Sequence, residues 1–210
     1  MAQSLQLRLP YLMVSILAAT ECIWGLANSP FPPTMIEFSS QFQQPLPPVV
    51  KTEFNASFIQ HKWNQHLSHI TAGYLYHSPT RKEIRVDQAY SGTLGSSMFN
   101  FNNVTEGGLV DNTLISFTDT CCTSPQIWRG YVNSDFPLIM PDVLINAEAV
   151  FVGLARRDLT KGEVAAWSIL YQGLIPATVF VDPTGVIVGY DYFFPVDRTR
   201  VVTEFFNIVT

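Results

Sequence analysis

Thr71–Val86 reads TAGYLYHSPTRKEIRV. Two apolar-rich runs, Ser68–Tyr76 and Lys82–Tyr90, flank the turn His77-Ser78-Pro79-Thr80, which is the pattern of a β-hairpin. In the second arm Ile84 and Val86 fall on one side, and Glu83, Arg85 and Asp87 on the other. Successive side chains of a strand point to opposite faces, so this alternation predicts a sheet with one buried face and one wet face.

The same reading extends outward in both directions. Thr52–Trp63 alternates, with Phe54, Ala56 and Phe58 inward and Asn55 and Ser57 outward. Ser96–Asn102 and Leu109–Phe117 are separated by Thr105-Glu106-Gly107-Gly108, and Ile127–Asn133 follows. Ala149–Arg156 runs into the turn Asp158–Gly162, and Glu163–Tyr171 comes next. Ala177–Val181 and Val186–Phe194 flank Asp182-Pro183-Thr184-Gly185, a turn with proline at its second position and glycine at its fourth. In Val186–Phe194 the alternation puts Val186, Val188, Tyr190 and Tyr192 on one face. Thr199–Ile208 fits a helical period through Val201/Phe205 and Val202/Phe206, but its β-branched run Val201-Val202-Thr203 and its aromatics favour a strand. Asp135–Ala147, punctuated by Pro137 and Pro141, reads as a loop or short helix across the sheet. About nine or ten strands with regular turn signals predict an antiparallel all-β fold with minor α content. The expected form is a two-sheet sandwich or a curved half-barrel with an apolar pocket.

The N-terminus sets the compartment. Met1–Pro10 is polar, Tyr11–Ala19 is apolar, and Gly25-Leu26-Ala27 offers small residues for cleavage before Asn28. Residues 1–27 are therefore expected to be a secretory signal peptide. Glu21 interrupts the apolar run, which falls short of the roughly 20 residues of a membrane span. No integral span is expected after cleavage. Residues 28–50 form a proline-rich N-terminal segment and 51–210 a single β domain. The expected destination is the extracellular space, with the lysosome as the alternative. Two sequons, at Asn55 and Asn103, suit a secreted glycoprotein. Cys22 would leave with the signal peptide, so Cys121 and Cys122 remain as adjacent thiols. A vicinal bridge, inter-chain bridges and reduced thiols all stay open for them.

Charged residues make up 14% of the 210, with a formal net charge of −5, so no basic footprint for nucleic acid exists. Arg81-Lys82 and Arg156-Arg157 read as strand-edge or turn charges. His61, His66, His69 and His77 do not share metal-ligand spacing and read as solvated loop residues. Gly92–Ser97 (GTLGSS) lacks the spacing of a nucleophile elbow. No paired carboxylates beyond turn and wet-face positions stand out, and no D-x-D-x-D-G calcium loop occurs. No catalytic residue, metal site or cofactor is expected, and the chain reads as non-enzymatic.

Aromatics are abundant at 13% and fall on the expected strands. They can fill a core, or line a concave apolar face that takes a ligand. On the second reading the pocket candidates are Tyr74, Tyr76, Phe99, Trp128, Phe151, Trp167 and Tyr190.

Thr71–Val86 and Ala149–Tyr192 carry a family resemblance. A GYLY strand leads by a short turn into RKEIRV, and AVFVGL precedes a turn and WSILY. IPATVFVD, GYDYFF and VTEFFNI follow in order. The chain resembles the ependymin-related family and, through it, folds similar to the bacterial lipoprotein carrier LolA. It looks like a divergent member, because only Cys121 and Cys122 survive cleavage. The resemblance implies a secreted or lysosomal glycoprotein with two stacked antiparallel sheets around a deep hydrophobic pocket. It also implies a homodimer, and calcium association as in some members. The expectation is therefore a carrier of a lipid or other hydrophobic small molecule. The alternative is a structural or adhesion glycoprotein with a self-filled core and associated calcium.

Overall fold

The computed structural model describes residues 44–90, 93–118 and 124–210. The expected signal peptide, most of the proline-rich segment, and Cys121 and Cys122 lie outside them. Eleven strands form one continuous antiparallel sheet. They are β1 (Phe54–Trp63), β2 (Ser68–Ser78), β3 (Glu83–Tyr90), β4 (Thr93–Val104), β5 (Val110–Thr118), β6 (Gln126–Val132), β7 (Val150–Arg156), β8 (Glu163–Tyr171), β9 (Ile175–Val181), β10 (Ile187–Phe194) and β11 (Thr199–Val209). The strand expectation therefore holds along the chain, and Thr199–Val209 is a strand.

The order across the sheet is β6-β5-β4-β3-β2-β1-β11-β10-β9-β8-β7. The chain meanders from β1 outward to one edge at β6. It then crosses to the other edge at β7 and meanders back, so that β11 pairs with β1. That order forces the Asn133–Ala149 connection to traverse the whole sheet. It does so along one face, burying Phe136, Ile139, Leu144 and Ala149, with a single helical turn α1 (Val143–Asn146) on the way. The expected strap across a sheet is present, with Phe136 meeting Phe58 edge-on at 4.9 Å between ring centroids.

The face beneath the strap holds the main core. Phe58, Leu75, Ile84, Val86, Trp167, Val201 and Phe205 are all essentially inaccessible. Each such side chain stabilises the fold by about 1.5–3 kcal/mol through loss of apolar surface to water. Residues of β4 and β5 (Phe101, Val110) and of β8 and β9 (Ile169, Val179) line a common cavity. The sheet therefore curls until distant strands face one another. The arrangement is sandwich-like but consists of one hydrogen-bonded sheet, where the resemblance implied two.

A smaller cluster lies on the outer face, where Val164, Ala166, Phe180 and Val188 pack together. The alternation had placed Val188 with Tyr190 and Tyr192. A bulge between Ile187 and Gly189 adds one residue opposite Val181 and Phe180, and so turns Val188 over. Arg157 covers this cluster, 4.2 Å from the Phe180 ring, and bonds Asp191 at 3.0 Å and Glu204 at 3.5 Å. Expected as a turn charge, it is a partly buried anchor.

Candidate functional site

Strand register sorts the seven pocket candidates. Tyr74 and Tyr76 pair with Asp87 and Arg85 on β3, beside the inward Leu75–Val86 pair. They therefore stand on the outer face, touching edge-on at 4.9 Å, with Arg85 over the Tyr76 ring. Phe99, Trp128, Phe151, Trp167 and Tyr190 share the inner face, but they do not form one group. Trp128 sits on the edge strand β6, half exposed. Phe151 and Trp167 pack on each other at 5.2 Å, and Trp167 is fully buried. None of these three lines either of the cavities described next. The structure thus disperses the expected set, leaving Phe99 and Tyr190 at cavities. Asn55 is partly exposed on β1 and Asn103 is exposed on β4.

Two cavities flank the strap. The larger, about 430 Å³, has a floor of Ile139, Ile169, Val179, Tyr190 and Val201. Its rim is made by the exposed Gly107-Gly108, Gln172–Leu174 and Asp197 turns. The smaller, about 240 Å³, is walled by Gln60, Thr71, Gln88 and Ser97 together with His69, Val86 and Phe99. Asn133 and Asp135 line both cavities, so one stretch of strap borders the two.

Asp135 is the hub of that stretch. Both its carboxylate oxygens accept from Lys62 Nζ, at 2.9 and 3.0 Å. Tyr190 donates to its backbone carbonyl at 3.4 Å and Tyr192 to Oδ1 at 3.5 Å. Burial first, and then the neighbouring phenol and carboxylate, push the Tyr190 hydroxyl far above the ordinary tyrosine value. Burial and Asp135 do the same to Tyr192. Both phenols therefore stay protonated donors. Burial likewise raises Tyr171.

His77 pins the strap's midpoint. The sequence suggested a solvated turn residue, but β2 extends to Ser78 and buries the ring. Nδ1 lies 2.6 Å from the Thr52 carbonyl oxygen, and Ile139 N–H donates to Nε2 at 3.1 Å. A donating Nδ1 and an accepting Nε2 define the neutral ring. Burial lowers its pKa below the ordinary histidine value, against weaker opposing effects of the backbone bonds and Glu53. The ring also stacks on Phe54 at 5.2 Å. The remaining histidines do not converge: His61 bonds Ser68 and stacks near Trp63, and His66 is exposed in the following turn. Among the described residues no group of three or more His, Cys, Asp or Glu is placed to hold a metal ion.

Sequence reasoning missed most of the larger cavity, including Ile169, Tyr171, Ala177, Val179, Tyr192 and Val201. The available signal was register. These positions alternate in phase with Trp167 and Tyr190 on neighbouring strands.

No family model matches the chain, and no curated protein matches it. Among solved structures it is similar to a DUF1329 family protein from Desulfovibrio piger. The TM-score is 0.35 at 10% identity, over 76% of this chain and 86% of that one. Among the described residues no helix is long and apolar enough to cross a membrane.

Proposed function

We propose that this chain is a non-enzymatic carrier that binds a lipid or other hydrophobic small molecule between its curled sheet and its strap. The observation that carries the reading is the cavity of about 430 Å³ with its floor of aliphatic and tyrosine side chains. A cavity of about 150 Å³ already admits benzene. Ligand pockets run to roughly 300–1,000 Å³, and this cavity falls in that range. A self-filled core, the structural or adhesion alternative, would leave no such space. The same proposal includes secretion, glycans at Asn55 and Asn103, and the ependymin-related kinship with its homodimer. Calcium is not needed for it.

Ala177 lines the cavity opposite Ile169 and Tyr192. Ala177→Trp should fill the chamber. Uptake of a fluorescent fatty-acyl probe should fall at least tenfold in this variant, with the unfolding midpoint kept near wild type. Undiminished uptake by a folded variant would remove the cavity from the account.

A further inference from the structure

We infer that the polar chamber takes the head group of the same ligand, and that this head is uncharged and bears hydroxyl or amide groups. The inference rests on the carrier reading of the apolar chamber. It starts from the register around Gln88, which pairs with Gly73 on β2 and Gly95 on β4. A glycine on each side leaves the Gln88 side chain without a cross-strand neighbour and opens the chamber. Gly73 cannot readily be replaced, because a Cβ there would run into the Asp87 carbonyl. Around this opening the wall is polar, with Gln60, Thr71, Gln88 and Ser97 side by side on neighbouring strands. Thr71 and Ser97 are buried, Gln88 is half-buried, and all three line the chamber. Hydroxyl and amide side chains thus line a space of about 240 Å³, which suits a ligand's polar end.

Charge selects the head. Among the described residues the only lysine or arginine lining either chamber is Lys62, which Asp135 already holds through both oxygens, and His69 is the histidine on the polar wall. A carboxylate or phosphate would meet no unpaired guanidinium or ammonium, and would face the Asp135 carboxylate. A cation would have to compete with Lys62 for that carboxylate. Amide and hydroxyl side chains, each both donor and acceptor, match an uncharged polyol or amide. Asn133 and Asp135 border both chambers, so the amphiphile of this inference would lie across that shared stretch, its tail in one chamber and its head in the other.

The test compares three probes of equal chain length on the delipidated full chain by titration calorimetry: monolauroylglycerol, laurate and dodecanol. Monolauroylglycerol should bind at least tenfold more tightly than laurate. Gln88→Leu and, separately, the isosteric Thr71→Val should each reduce that preference at least threefold while leaving dodecanol affinity within twofold. Laurate binding as tightly as monolauroylglycerol would overturn the inference and leave the carrier reading standing. So would a preference unchanged in both folded variants. Failure of all three probes to bind would overturn both.

Discussion

Replacing His77 with phenylalanine keeps the ring, its approximate volume and its stack on Phe54, but removes both hydrogen bonds that tie the strap to the sheet. Thr52 and Ile139 are almost fully buried, so the Thr52 carbonyl and the Ile139 N–H would both be stranded. At about 1–3 kcal/mol for each unsatisfied buried group, His77→Phe should cost about 2–5 kcal/mol at pH 7.5. The pH dependence is more specific. The folded state holds His77 below its ordinary value of 6.5, mainly by burial, whereas the unfolded chain protonates it at that value. Protonation would also turn Nε2 into a donor facing the Ile139 N–H. The contribution of neutral His77 is thus fully present above about pH 6.5. It is lost as pH falls through that value towards the lower folded one, with a slope of at most about 1.4 kcal/mol per pH unit. The nearby acid is Glu53. Burial opposes its ionisation, but hydrogen bonds from Thr80 and Ser78 outweigh this and hold it below the usual carboxylate range. Urea unfolding followed by tryptophan fluorescence, at pH 7.5 and pH 5.0, separates the two effects. Wild type should lose stability between them, and His77→Phe should lose less, so the gap between the two proteins narrows in acid. A penalty under about 1 kcal/mol at pH 7.5, or an unchanged gap at pH 5.0, would refute this account of the ring.

Other perturbations follow from the same contacts. Arg157→Ala leaves Asp191 and Glu204 facing each other and uncovers Phe180; partial exposure tempers the effect, and chemical denaturation should show a loss of about 2–4 kcal/mol. Trp167→Ala should cost about 3–5 kcal/mol by denaturation, yet leave acyl-probe affinity per folded molecule unchanged, because Trp167 packs on Phe151 and lines neither cavity. Asp182 Oδ1 accepts from the Thr184 and Val186 N–H groups and the Thr184 hydroxyl, so Asp182→Ala should lower stability by about 1–2 kcal/mol in the same assay.

The strands were legible because their causes are local. Ile84 and Val86 against Glu83, Arg85 and Asp87 state a half-buried strand in five residues, and the hairpin turn fixes its partner. Even Pro137 and Pro141 marked a segment outside the ladder. The site was not legible, because its causes are not local. Tyr74 and Tyr76 belong to an inner-looking aromatic run, and only their register with Asp87 and Arg85 sends them outward. Val188 changes face through one extra residue at a bulge. Phe151 and Trp167 sit on the proper face but are consumed by packing on each other. His77 looks like part of a turn until Thr52 and Ile139, each more than twenty residues away, close over it. The cavities exist because the strap from β6 to β7 bridges a curled sheet without filling it. No window of sequence contains both the strap and the strands beneath it.

The most direct test is native mass spectrometry of the purified protein, followed by organic extraction of what it carries. The account predicts a stoichiometric adduct of lipid size that organic solvent removes and an offered monoacylglycerol restores. A clean apo mass, with no uptake of offered lipids, would contradict it and return the chain to a protein that works through its surface.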